Sequence, residues 1–197
     1  MSILVLTSDT LIGTAAAGNI EYNGQFFGTD SNASRAQLQR ITSGTAVAST
    51  SGTSIDFTGI PAWVKRITVM FEGVSTNGTS PVTMQIGDSG GVEITGYLGT
   101  NGRTGAGTAG ANNSSGFLIE DGGAAASVRH GSIALNLLNS STNTWTAMGA
   151  VGRSDGANIY IQGGSKSLSA TLDRVRITTS GGTDTFDAGS VNIIYEG

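Results

Sequence analysis

From residue 43 onward the chain alternates apolar and polar side chains with a period of two, in short runs each stopped by Gly, Asn, Ser or Asp. Period two is the repeat of a strand, whose successive side chains point to opposite faces, whereas a helix repeats every ~3.6 residues. "VKRITVMFEG" sets Ile67, Val69 and Phe71 on one face and Arg66, Thr68 and Met70 on the other. "VTMQIG" aligns Val82, Met84 and Ile86; "GFLIE" aligns Phe117 and Ile119; "SIALNLLN" aligns Ile133, Leu135 and Leu137. "TWTAMGAV" aligns Trp145, Ala147 and Val151, "NIYIQG" aligns Ile159 and Ile161, and "SVNIIYE" aligns Val191, Ile193 and Tyr195. In "SLSATLDRVRIT" the spacing of Leu168, Ala170 and Leu172 resumes at Val175 and Ile177 one residue out of phase, which predicts a bulge near Asp173.

Short strands at regular spacing, separated by turn residues and free of helix-length periodicity, predict a sandwich or barrel. The residue types agree: 31 glycines serve tight turns, and a charged fraction of 12% leaves few of the Lys and Glu that favour helices. The expected fold is all-β, a jelly-roll-like antiparallel β-sandwich over residues 43–197. The stretch "LGTNGRTGAGTAGANNSSG", residues 98–116, lacks apolar alternation and reads as a long loop, either mobile or ligand-binding.

Residues 1–42 read as a separate segment. Within "AAAGNIEYNGQFFGTDSNASRAQLQR", Asn19–Tyr22 and Gln25–Gly28 flank Asn23-Gly24, a strong hairpin signal. Asp30 or Ser31 is placed to cap about two helical turns carrying Ala33, Ala36, Leu38 and Ile41. A lone hairpin and a short helical turn cannot bury these apolar residues by themselves, so the segment requires a partner surface.

The chemistry-bearing residues are sparse. The net charge is −4 and the ten basic residues are scattered, without the clustered footprint that a nucleic-acid partner needs. The lack of cysteine excludes disulfides, thiolate metal sites and a Cys nucleophile. The run "ILVL" at residues 3–6 is too short to span a bilayer and lacks the flanks of a secretory signal, so synthesis in the cytoplasm without membrane insertion is expected. His130, the single histidine, accompanies no nucleophile-elbow motif, and one histidine without any cysteine argues against a zinc site within one chain. Asp88, Glu120, Asp121, Asp155, Asp184 and Asp187 sit beside Gly, Ser or Thr and read as turn residues, with a glycosidase pair as the remaining enzymatic alternative. No catalytic residue, metal or cofactor is therefore expected. Trp63 and Trp145 are either core residues or flat anchors for a sugar or an interface.

Two stretches resemble a known group. "AAGNIEYNGQFF" is similar to a segment common in bacteriophage tail-fibre and other virion proteins. The stretch from "GTAVASTSGTSIDF" to "GVEITGY", together with "LDRVRITTSGGTDTFDAGSVNIIYE", resembles a β-rich domain of phage structural proteins. The resemblance covers residues 14–97 and 172–196, and residues 98–171 are where such proteins vary. It implies a non-enzymatic virion protein, a homotrimer whose first segment attaches to the particle through Ile20, Tyr22, Phe26, Phe27 and Leu38, close to a small-residue run at Ala15–Ala17. Its partners would be other copies of itself and a tail adaptor, baseplate or capsid protein. A short tail fibre would bind a host-surface glycan through the variable region, with Arg103, Asn112, Trp145 and Arg153 as contacts. A capsid decoration or head fibre is the alternative, and a glycan depolymerase the third.

Overall fold

The computed structural model describes residues 17–22, 26–32, 34–105, 107–125 and 127–197, and the chain divides into two units, Met1–Arg40 and Ile41–Gly197. Among the described residues the protein is all-β, with no helix.

The first unit holds one antiparallel sheet in the order β1-β2-β3, with β1 at Ile20–Tyr22, β2 at Phe26–Thr29 and β3 at Arg35–Gln37. The Asn23-Gly24 turn and Ala15–Ala16 lie outside the described residues. The expected helical turn is instead a turn followed by a strand. Asp30 does act through its side chain, but Oδ1 accepts from the backbone N–H groups of Asn32 (2.8 Å) and Ser34 (2.9 Å) in a turn joining two strands. Beyond it Ala36 pairs with Gly28, and Leu38 N–H donates to the Phe26 carbonyl at 2.9 Å. Ala36 and Leu38 are two residues apart, the spacing of a strand face, and pairing to β2 satisfies backbone groups that a two-turn helix would leave open.

The second unit is a sandwich of two antiparallel sheets. The larger has the order β11-β10-β15-β14-β13-β7-β17-β4, built from β4 (Ile41–Ser43), β7 (Arg66–Thr76), β10 (Leu98–Gly105), β11 (Ala109–Asn113), β13 (Arg129–Asn139), β14 (Thr144–Arg153), β15 (Asn158–Ser167) and β17 (Phe186–Glu196), with β5 (Val47–Ala48) also on β17. The smaller has the order β12-β8-β16-β6, built from β6 (Ser54–Thr58), β8 (Val82–Asp88), β12 (Phe117–Leu118) and β16 (Arg174–Thr179), with β9 (Gly91–Val92) on β8.

Period two does its work in β7, β13 and β17. Ile67, Val69, Phe71, Ile133, Leu135, Val191 and Ile193 pack into one core with Ile55, Phe57, Val82, Met84, Ile86, Val175 and Ile177 of the smaller sheet. Each such side chain contributes about 1.5–3 kcal/mol by leaving water.

Two expectations fail here. Residues 98–116 are mostly not a loop: β10 and β11 form a hairpin registered from Gly99 opposite Asn113 to Arg103 opposite Ala109, and β10 also pairs with β15 along its whole length. Backbone pairing needs no apolar alternation, so a stretch of Gly, Thr and Asn can carry it. The phase slip near Asp173 is not a bulge. The chain leaves the larger sheet at Ser167 and enters the smaller one at Arg174, with Leu168 and Leu172 buried in the core between. The bulges lie elsewhere, the largest irregularity falling where β7 meets β17. There Gly73 (φ 63°) and Gly189 (φ 90°) face each other, and a Cβ on Gly189 would collide with the Gly73 carbonyl, so both conformation and space require glycine.

Candidate functional site

In the first unit, register sorts the side chains onto two faces. Ile20, Tyr22, Phe26, Gly28 and Ala36 share one face, joined by Leu38 opposite Phe26. The Tyr22 and Phe26 rings are 5.0 Å apart, and Leu38 lies over Gly28, where a Cβ would come within 3.3 Å of its Cδ2. Glu21, Phe27, Thr29, Arg35 and Gln37 share the other face, where Arg35 pairs with Glu21 at 3.1 Å. The burial is inverted relative to an ordinary sheet. Glu21 is 8% exposed, whereas Ile20 is 68%, Leu38 51% and Phe26 47% exposed. Of the five residues expected to attach, four share this open apolar face, and Phe27 points from the opposite one.

In the second unit, the residues expected as receptor contacts do not form one site. Trp145 is 3% exposed and belongs to the core, so its ring offers no face to a ligand; this corrects its placement among the contacts. It stands at the start of β14 and Arg153 at its end, about 27 Å away at ~3.4 Å per residue. Arg153 forks onto Asp155, Nε to Oδ1 at 3.2 Å and Nη2 to Oδ2, while Asp155 also accepts from Val128 N–H at 2.8 Å. The guanidinium holds the Asp155 carboxyl down at about 2, so the pair is a loop clamp. Arg103 reaches toward Asp121 at 3.8 Å. Asn112 is exposed on β11 opposite Thr100.

His130 touches a serine, but not as a catalytic base. Its Nδ1 accepts from Gly73 N–H at 3.2 Å, which places the proton of the neutral ring on Nε2, 3.1 Å from Ser154 Oγ. A ring that donates to the hydroxyl cannot also take its proton. His130 thus ties the β7 bulge to the turn after β14.

Residue types alone did not reveal two buried polar groups. Arg129 and Glu120 pair with their side chains each 1% exposed; Arg129 Nη1 also donates to the carbonyls of Ser127 (3.1 Å) and Val74 (3.3 Å), and Glu120 accepts from Val82 N–H at 3.3 Å. This cluster pins the 119–128 segment to both sheets. Near β9, Lys166 pairs with Glu93 and lies 5.6 Å from the Tyr97 ring centroid. Burial pushes Glu93 upward, but Lys166 and Ser169 outweigh it and leave its carboxyl lowered. The Ser169 hydroxyl donates to Asp88 at 2.6 Å and, with Gly90 N–H, holds that carboxyl below its usual range. Burial drives the Tyr97 phenol well above its ordinary value and outweighs the lowering by the hydrogen bond that its oxygen accepts from Ile86 N–H at 2.8 Å; the hydroxyl donates to the Glu93 carbonyl at 2.9 Å. These groups neutralise one another within the fold. Among the described residues no three His, Asp or Glu side chains gather to hold a metal ion.

The sequence matches no protein-family model and no curated protein. The open surfaces and the paired charges therefore carry the functional argument.

Proposed function

We propose that this chain is a non-enzymatic structural protein of a bacteriophage particle, a short fibre-like homotrimer whose first unit docks on a virion protein and whose sandwich is displayed outward to a host-surface glycan. The observation that supports it is the open apolar face of Ile20, Tyr22, Phe26, Ala36 and Leu38 on a three-stranded sheet. Among the described residues nothing forms a second layer over this face, and a protein partner would supply one. The resemblance of residues 14–97 and 172–196 to phage structural proteins names the class of partner. Display on a multimer raises the effective affinity of weak glycan contacts, because later contacts form within one assembly.

The test is immunogold labelling of particles purified from the source culture with an antibody against the full chain, followed by adsorption assays with added protein. Labelling at the tail, with added protein blocking adsorption, is expected. Labelling on the capsid with adsorption unaffected replaces host recognition by decoration. Unlabelled particles overturn the proposal.

A further inference from the structure

The sequence holds Asn-Gly at residues 23–24, 77–78 and 101–102, and the first pair lies outside the described residues. The other two share the local sequence Thr-Asn-Gly, yet the fold treats them differently. Asn101 is 3% exposed on β10, and Gly102 is paired on both sides, opposite Gly110 of β11 and Ile161 of β15. Asn77 is exposed in the turn that follows β7. Its backbone N–H donates to the Thr185 carbonyl at 3.0 Å, and its side-chain Oδ1 accepts from Thr185 N–H at 2.9 Å. Among the described residues the Gly78 N–H has no acceptor. The Asp184 carboxylate lies against Gly78: a Cβ there would come within 2.2 Å of it, and its Oδ2 accepts from Ser80 N–H at 2.8 Å.

We infer that Asn77 is a self-modification site, converting without an enzyme to a mixture of aspartate and isoaspartate. The reaction begins with attack of the Gly78 backbone nitrogen on Asn77 Cγ. The N–Cγ bond forms as that nitrogen gives its proton to water. Negative charge gathers on Oδ1, where Thr185 N–H already donates, and a fixed donor at a developing oxyanion lowers the barrier. The Cγ–Nδ2 bond then breaks, and Nδ2 takes up a proton and leaves as ammonia, closing a five-membered imide. Water opens the ring at either carbonyl. Addition at Cγ leaves aspartate; addition at the main-chain carbon leaves isoaspartate, with the chain running through Cγ. Nothing is oxidised or reduced. Attacker and target sit on adjacent residues, so ring closure is unimolecular. Glycine puts no side chain beside the attacking nitrogen, and no hydrogen bond of the Gly78 N–H has to break before it turns toward Cγ. At Gly102 the N–H belongs to a strand paired on both sides and must first leave the ladder. Either product adds a carboxylate to the turn that already holds Asp184 against Gly78. Two like charges in one turn repel, so the change loosens the join between the β7–β8 turn and the residues before β17.

The test is peptide mapping by tandem mass spectrometry of the full chain aged in mildly alkaline buffer, native in one sample and unfolded in urea in another. In urea, positions 77 and 101 are expected to lose their amides at similar rates, because each asparagine lies between threonine and glycine. In the native chain, position 77 is expected to convert at least as fast as in urea, and position 101 to keep its amide. Slower conversion at 77 in the native chain than in urea overturns the inference. Conversion at 101 as fast as at 77 in the native chain overturns the part given to the free Gly78 N–H. The aged native protein is expected to melt below the fresh protein, and an unchanged melting temperature overturns the loosening by the new charge. The wild-type chain serves throughout, so no substitution can confuse the result with a failure to fold.

Discussion

The two units of this chain handle their apolar faces in opposite ways. In the sandwich, the inner face of the larger sheet meets the smaller sheet, and Ile67, Val69, Ile133, Val82, Met84, Ile86, Val175 and Ile177 are all fully buried. In the first unit, a single three-stranded sheet buries Glu21 and leaves Ile20, Phe26 and Leu38 in solvent. The same residue types in the same strand periodicity thus serve stability in one place and availability in the other. The difference is the second layer: where it is present, apolar residues are core, and where the described residues do not supply it, they remain exposed.

The comparison is sharpest where it predicts the largest loss. Arg129 and Glu120 sit at one end of the sandwich with both charges out of water. Glu120→Ala strands the guanidinium and is expected to cost about 3–5 kcal/mol, read as a fall in the urea midpoint. Truncating the core directly, Ile133→Ala is expected to cost about 2–5 kcal/mol by the same measurement. Asp155 belongs to the sandwich but sits at its rim. Its folded carboxyl, at about 2, lies below the ordinary ~3.9 of an unfolded chain, so its contribution is full above about pH 4 and fades as the pH falls toward 2. Because solvent screens the pair, Asp155→Asn is expected to cost less than about 1 kcal/mol at pH 7, and progressively less as the pH falls from about 4 through 2. The smallest effect belongs to the open sheet: Phe26→Ala should shift the unfolding of the isolated chain by under ~0.5 kcal/mol. If Phe26→Ala cost as much as Ile133→Ala, the contrast between the two units would collapse.

Strand content and the core face of β7, β8, β13 and β17 were legible in the sequence because apolar side chains alternate there without interruption. Three features were not, each for a physical reason. The hairpin at 98–113 is held by backbone pairing, which leaves no trace in side-chain polarity. The crossing from β15 to β16 looks like a bulge, because a change of sheet and an extra residue both shift the phase by one. The orientation of β15 is hidden because alternation reports which residues share a face but not which face is inside; Ile159 and Ile161 share one, and it is the outer. The apolar face of the first sheet was half visible: Ile20, Tyr22, Phe26 and Leu38, the residues proposed to attach, fall together only after Leu38 is moved from a helical turn to an extended strand beside Phe26. Arg129 and Glu120 carried no local signal, since their pairing joins residues on either side of an irregular segment.

The most direct measurement is cryo-electron microscopy of the intact particle at a resolution that places side chains. The account predicts that Ile20, Phe26 and Leu38 are covered there by a virion protein, with the sandwich projecting away from the attachment point. A particle in which this face remains in solvent, or in which the chain has no density, would contradict it.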